Sequence, residues 1–337
     1  METNNARFTY VDLFAGIGGF HQAASQHGGE CVFACEIDAH AQRAYASNYG
    51  IVPYGDITTL DAADVPDHDI LFAGFPCQPF SILGGMRGFE DTHGTLFFDI
   101  ARVLELKRPP MFVLENVRQF STHDNGRTLN TVLLSLEMLG YKTTWKVLNA
   151  LDFGLPHKRE RTIIVGFLNR DVRFEFPAGT GAGDLRDVLE NDADVGRKHF
   201  ASEHIVARRA AKHVSQHNPS IWHENKSGNI SSYPYSCALR AGASYNYLLV
   251  NGIRRLTPRE MLRLQGFPDT FEIVCNDNQT RKQVGNAVPV NMVSAVLREV
   301  LSAHEMAKTE QLEEVARHRG SHVGTGGTGG MRARRGT

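Results

Sequence analysis

Asp12-Leu13-Phe14-Ala15-Gly16-Ile17-Gly18-Gly19 stands directly after a β-branched, apolar run and directly before a helical pattern. Residues 8–14 read as a strand and 19–26 as a helix, so these glycines occupy a strand-to-helix turn. Glycine at such a turn lets the backbone approach a ligand closely. The spacing is not the G-x-G-x-x-G of a dinucleotide site, and no helix N-terminus is clearly offered to a pyrophosphate. An adenosine ligand without phosphates suits the turn better.

Outward from this turn the alternation continues. Strand patterns fall at 31–36, 69–73, 111–115, 142–148 and 162–167, with helical patterns at 39–48, 95–106 and 128–139 between them. Such alternation predicts a Rossmann-like α/β fold, a doubly wound and mostly parallel sheet. Ligands of these sheets gather beyond the carboxyl ends of the strands. The second strand ends in Glu36, a carboxylate placed to grip ribose hydroxyls. The third runs into Gly74-Phe75-Pro76-Cys77-Gln78-Pro79-Phe80-Ser81, and the fourth delivers Glu115-Asn116-Val117. A lone cysteine is more often a buried structural thiol, and a lone glutamate more often a capping or ion-paired group. A nucleophile and a carboxylate on adjacent strand ends beside an adenosine pocket form a set that neither explanation covers.

The chain has 337 residues, 42% of them apolar and 22% charged, which is ordinary for a soluble globular protein. The polar N-terminus carries no secretory signal, and no apolar run approaches a membrane span, which predicts a cytoplasmic protein without a membrane partner. Five cysteines lack paired metal spacing; Cys31 and Cys35 read as small thiols in a strand, so no metal is expected. A net charge of −1 neither favours nor excludes a nucleic-acid partner, because phosphates respond to the local field. The charge is segregated, with Arg197, Lys198, Arg208, Arg209 and Lys212 gathered in one stretch. That stretch alone reads as a solvated helix face. Near residue 169 the alternation fades and glycine, serine, histidine and asparagine become common, which marks a smaller second domain. Helical patterns return at 258–264 and 290–313, and the glycine-rich residues 316–337 are expected to be disordered.

The ordered motifs resemble those of the cytosine-C5 DNA methyltransferases, of the bacterial or phage modification type, from Asp12 to about Leu297. The matching blocks are 12–19, 36–38, Gly55-Asp56-Ile57, 74–81, 115–117, Lys158-Arg159-Glu160-Arg161, 255–269 and Gln283-Val284-Gly285-Asn286-Ala287-Val288-Pro289. The resemblance implies transfer of a methyl group from S-adenosyl-L-methionine to cytosine C5 in double-stranded DNA, with the base flipped out of the helix. It implies Cys77 as the thiolate that attacks C6, Glu115 as the group holding N3 and the exocyclic amine, and Arg159 and Arg161 as base-orienting cations. Phe14, Gly16, Gly19, Glu36, Ile37, Asp56, Ile57, Pro76, Asn286 and Val288 are the implied cofactor residues. Ser81, Lys158, Arg197, Lys198, Arg208, Arg209, Lys212 and Arg240 are the candidate DNA contacts, Lys158 as a phosphate contact. The implied organisation is a catalytic domain over 1–169, a target-recognition domain over 170–280 and a returning segment over 281–315. A mobile loop over 82–96, a monomeric enzyme and a cognate restriction endonuclease complete the expectation.

Three residues depart from the family pattern. His157 replaces a usual glutamine, His93 a usual arginine, and Cys237-Ala238 stand where a threonine is typical; the two histidines are expected to affect DNA affinity or pH response. An RNA-directed member of the family is the nearest rival, and Gln78-Pro79-Phe80-Ser81 with the long insert argue against it. A non-enzymatic DNA-binding relic would have lost Cys77 or Glu115. A dehydrogenase fails on the glycine spacing and lacks a proton relay for hydride chemistry.

Overall fold

The structure, a computed structural model, describes residues 6–76, 96–244 and 246–322. Its first half is β1 (Phe8–Leu13), α1 (Gly19–Ser25), β2 (Gly29–Cys35), α2 (Ala39–Tyr49), β3 (Ile70–Gly74), α3 (Leu96–Lys107), β4 (Met111–Val117), α4 (Arg127–Met138), β5 (Lys142–Asn149), β6 (His157–Lys158) and β7 (Glu160–Phe167). Six strands form one sheet in the order β2-β1-β3-β4-β7-β5. Strands β2, β1, β3 and β4 run parallel, whereas β7 is antiparallel to both of its neighbours. That reversal sets up the site, because it brings the amino end of β7 to the edge where β1 to β4 present their carboxyl ends.

Alternation along each strand feeds two apolar layers. Tyr10, Phe72, Val113 and Val165 point into one cluster, completed by α1 and by the long helix over 290–322. Val11, Leu71, Leu114 and Ile164 point into the other, against Ile100, Leu104, Val132 and Leu136 of α3 and α4. The result is a helix–sheet–helix sandwich, as the alternating pattern predicts.

The second half contains α5 (Glu203–Ala210), β8 (Ile221–Glu224), β9 (Ile230–Tyr233), β10 (Ser236–Cys237), β11 (Leu248–Val250), α6 (Pro258–Leu264), α7 (Asp277–Asn286) and α8 (Val290–His322). A small antiparallel sheet, β11-β8-β9, lies in the insert, and β10 pairs with β6. Helix α6 starts on a capping box between Thr257 and Glu260. Ile221, Leu239 and Leu248 of the insert share one apolar cluster with Phe8 and with Val293 and Leu297 of α8. Residues 316–322 are helical, a correction to the irregular tail expected there, because α8 continues to His322. Residues 323–337 and residues 82–95 of the expected mobile loop, His93 among them, lie outside the described residues.

Candidate active site

A cavity of about 390 Å³ opens at the sheet edge where β1 to β4 end. This volume falls in the range of small-ligand pockets, roughly 300–1,000 Å³. Phe14 and Gly16 after β1, Glu36 and Ile37 after β2, and Asp56 and Ile57 form one side of its lining. Pro76, Glu115, Asn116, Arg159 and Arg161 form another, and Asn286 at the end of α7 contributes a third. Cys77 and Ser81 lie outside the described residues; Pro76, the residue before Cys77, lines the cavity.

The Glu36 carboxylate is fixed before any ligand arrives. Oε2 accepts from the Gly16 amide at 2.8 Å, and Oε1 accepts from the Asp38 amide at 2.8 Å. A carboxylate oxygen has further lone pairs, so both oxygens can still take hydroxyl donors. Ile37 beside it keeps 69% of its surface exposed, an apolar face on a polar cavity rim. Asp56 caps the following turn through Oδ1, which accepts from Thr58, and Oδ2 has no hydrogen bond among the described residues. Paired hydroxyls, an aromatic base and an amine donor would satisfy this set, and S-adenosyl-L-methionine carries all three. Asp12, the first residue of the opening motif, lies beneath this wall. It is fully buried against the Tyr45 hydroxyl, and burial pushes its pKa up to about 8.

Gly19 and Val288, both implied as cofactor residues by the resemblance, meet each other beside the cavity. A Cβ on Gly19 would stand 2.6 Å from the Val288 carbonyl oxygen, so glycine here admits the returning chain. Lys282 and Gln283 do line the cavity and were missed. Helix α7 is too polar to show the apolar period that marks a helix in sequence.

The opposite wall is charged. Arg161 Nε lies 2.6 Å from Glu115 Oε1, and both side chains are about nine-tenths buried. Glu115 faces Gly74 across the β3–β4 register, and Arg161 faces Val117 across β4–β7. The neighbour of Glu115, Asn116, donates to the Phe75 carbonyl at 3.0 Å, which fixes the peptide entering Pro76.

Arg159, which the resemblance implies as a base-orienting cation, is bonded to the backbone of distant segments. It is 1% exposed, and its guanidinium donates to the carbonyls of Leu239, Gly285 and Ala287 at 2.8–2.9 Å. It therefore ties the insert and the returning segment to the sheet, although it also lines the cavity. His157 acts beside it. Its Nε2 accepts from the Leu239 amide at 3.2 Å, so Nδ1 carries the proton and donates to the Leu264 carbonyl at 3.1 Å.

Burial, with like charge from Arg159 and Arg161, holds the His157 pKa well below the usual histidine value. In the unfolded chain this histidine takes up a proton near pH 6.5. Its contribution to stability is therefore complete above about pH 6.5 and is lost as pH falls below it. A glutamine amide offers the same acceptor and donor without titrating. His157→Gln is expected to remove up to about 1.4 kcal/mol per pH unit of acid destabilisation below pH 6.5. Urea unfolding at pH 5 and pH 7.5 measures it; equal pH slopes in both proteins would refute the assignment.

The candidate DNA contacts divide. Lys158, Arg197, Lys212 and Arg240 are exposed. Lys198 is paired with Asp277 at 2.6 Å and Arg208 with Glu224 at 2.8 Å. Arg209 is 1% exposed and bound to the same Glu224, which corrects its assignment as a DNA contact: its charge is consumed inside the insert.

The fold is shared with solved methyltransferase structures. An S. pombe Dnmt2 methyltransferase aligns with TM-score 0.67 at 21% identity, over 88% of this chain and 99% of that one. A Spodoptera frugiperda DNMT2 variant aligns with TM-score 0.68 at 20% identity, over 87% and 99%. Residues 8–302 match the family described as C-5 cytosine-specific DNA methylase, and the chain belongs to that family. It is 55% identical over 287 residues to the type II methyltransferase M.NgoBI of Neisseria gonorrhoeae, covering 85% of this chain and 90% of the relative. It is 52% identical over 299 residues to M.HaeII of Haemophilus aegyptius, covering 88% and 94%. The protein is thus a DNA (cytosine-5)-methyltransferase, and S-adenosyl-L-methionine supplies the methyl group. Among the described residues no helix is long and apolar enough to cross a membrane.

If the carboxylate beside Gly16 receives the ribose, Glu36→Ala should weaken cofactor binding by about 1–3 kcal/mol, the cost of losing a buried polar partner. Titration calorimetry with S-adenosyl-L-methionine reads this directly, and unchanged affinity would place the ribose elsewhere.

Proposed function

We propose that this chain is a monomeric, cytoplasmic modification methylase that marks one short site in duplex DNA, with Cys77 as nucleophile and Glu115 and Arg161 as base-holding groups. The observation that carries the residue roles is the Glu115–Arg161 pair lining the same cavity as Pro76 and Glu36. Cytosine C5 is a poor nucleophile, and a thiolate added at C6 makes it an enamine carbon able to accept a methyl group. Glu115 then holds N3 and the exocyclic amine, and Arg161 fixes the carboxylate and faces the charge that develops on the base. Loss of the C5 proton and release of the cysteine complete the cycle.

Residues 1–169 and the returning segment carry the chemistry, whereas the insert within 170–280 selects the sequence. Matches to two type II methyltransferases that span nearly the whole chain, insert included, support this reading. They also support a cognate endonuclease acting at the same site. Bisulfite sequencing of DNA from cells expressing the protein tests it. The expected result is 5-methylcytosine at one fixed position of one short motif throughout the genome. Methylation scattered without a motif, or absent, would contradict it.

A further inference from the structure

The tripeptide Ala238-Leu239-Arg240 follows β10 and, among the described residues, has no strand partner to take its own backbone groups, yet four consecutive groups are bonded by side chains. Tyr247 Oη donates to the Ala238 carbonyl at 3.2 Å and accepts from the Arg240 amide at 3.1 Å. Between them, the Leu239 amide donates to His157 at 3.2 Å, and its carbonyl accepts from Arg159 at 2.9 Å. All three clamping side chains are buried. Gly285 closes the arrangement, since a Cβ there would stand 2.5 Å from the Ala241 nitrogen and 3.0 Å from the Arg240 carbonyl carbon. Arg159 and Gly285 both line the catalytic cavity. The backbone of Arg240 is therefore fixed to the wall of that cavity.

Arg240 is exposed, and among the described residues its guanidinium has no hydrogen bond or ion pair. It lies over the Tyr247 ring, 4.9 Å from the centroid, in a notch that Arg255, Arg281 and Asp277 also line. Lys198 and Arg208 are tied to carboxylates, and Arg281 donates to the carbonyls of Ala243 and Ser244. A phosphate contact needs charge but little orientation. A planar fork lying over a buried tyrosine and carried on a clamped backbone supplies orientation, which is what a bidentate contact to guanine O6 and N7 requires.

We propose that Arg240 is a specificity-determining residue that reads a guanine near the target cytosine, an inference that rests on the insert being the part that selects the sequence. The test is the initial methylation rate of the full chain on duplexes in which each position of the site is varied in turn. The same duplexes are assayed across a salt series, with wild type, Arg240→Ala and Arg240→Lys. Arg240→Ala is expected to lower the preference for guanine at one position by roughly 10–100-fold and to leave the other positions alone. Arg240→Lys restores charge and not the preference, and cofactor affinity is unchanged in both variants. Uniform weakening on every duplex with a salt slope smaller by about one unit would make Arg240 a phosphate contact and overturn the proposal. Unchanged site preference would also overturn it. Failure of the wild type to prefer any site would instead defeat the assignment of the insert.

Discussion

Cys77→Ser is expected to abolish methylation, with a loss on the order of 10⁴-fold or more, the scale on which removing a covalent nucleophile acts. A serine hydroxyl is not ionised at neutral pH and is a poor nucleophile without a general base, whereas a thiol is far more readily ionised. The residues that lead to this position are fixed at the cavity. Gly74 pairs in register with Glu115, Asn116 holds the Phe75 carbonyl, and Pro76 lines the cavity. Arg161 contributes positive charge to the same wall, held by Glu115. DNA containing 5-fluorocytosine separates this role from a packing role, because fluorine at C5 cannot leave as a proton and the adduct persists. Wild-type enzyme should form a denaturant-resistant adduct and Cys77→Ser none, with cofactor affinity equal in the two. A full-strength adduct from the serine variant would remove Cys77 from the mechanism.

The site was legible in the sequence to the extent that its residues follow apolar strands. Glu36, Pro76 and Glu115 each stand at or just beyond the end of a run such as Ile70–Gly74, and the parallel sheet brings those ends together. What was hidden depends on partners far along the chain. Arg159 and Arg161 look equivalent two residues apart. Only the placement of Gly285 and Ala287, more than 120 residues later, makes the first a strut. Arg209 belongs to a run of positive charge that reads as surface, until Glu224 on the neighbouring strand β8 takes its guanidinium. Gly19 sits in a ligand-binding motif, and the contact that requires glycine there comes from Val288. Helix α7 gave no apolar period, although it carries Asn286 to the cavity. Local pattern reports which residues sit at strand ends; burial by a distant segment has no local signature.

Arg159 and Arg161 should accordingly fail in different ways. Arg159→Met removes the donors to three buried carbonyls, those of Leu239, Gly285 and Ala287. An orphaned buried acceptor costs about 1–3 kcal/mol, so the variant should lose roughly 3 kcal/mol or more of unfolding free energy. Its remaining activity should fall with the folded fraction, because the strut acts by holding the insert and α7 in place. Arg161→Met leaves Glu115 without its cation inside the cavity, and on the proposed roles it removes the positive charge that meets the base as it gains electron density. The expected loss is about 10²–10³-fold in single-turnover rate, the scale of one preorganised electrostatic group. Urea unfolding and single-turnover methylation of both variants give the two numbers. An Arg159→Met protein with wild-type stability and a collapsed rate would show that this guanidinium contacts the base, and the strut assignment would be wrong.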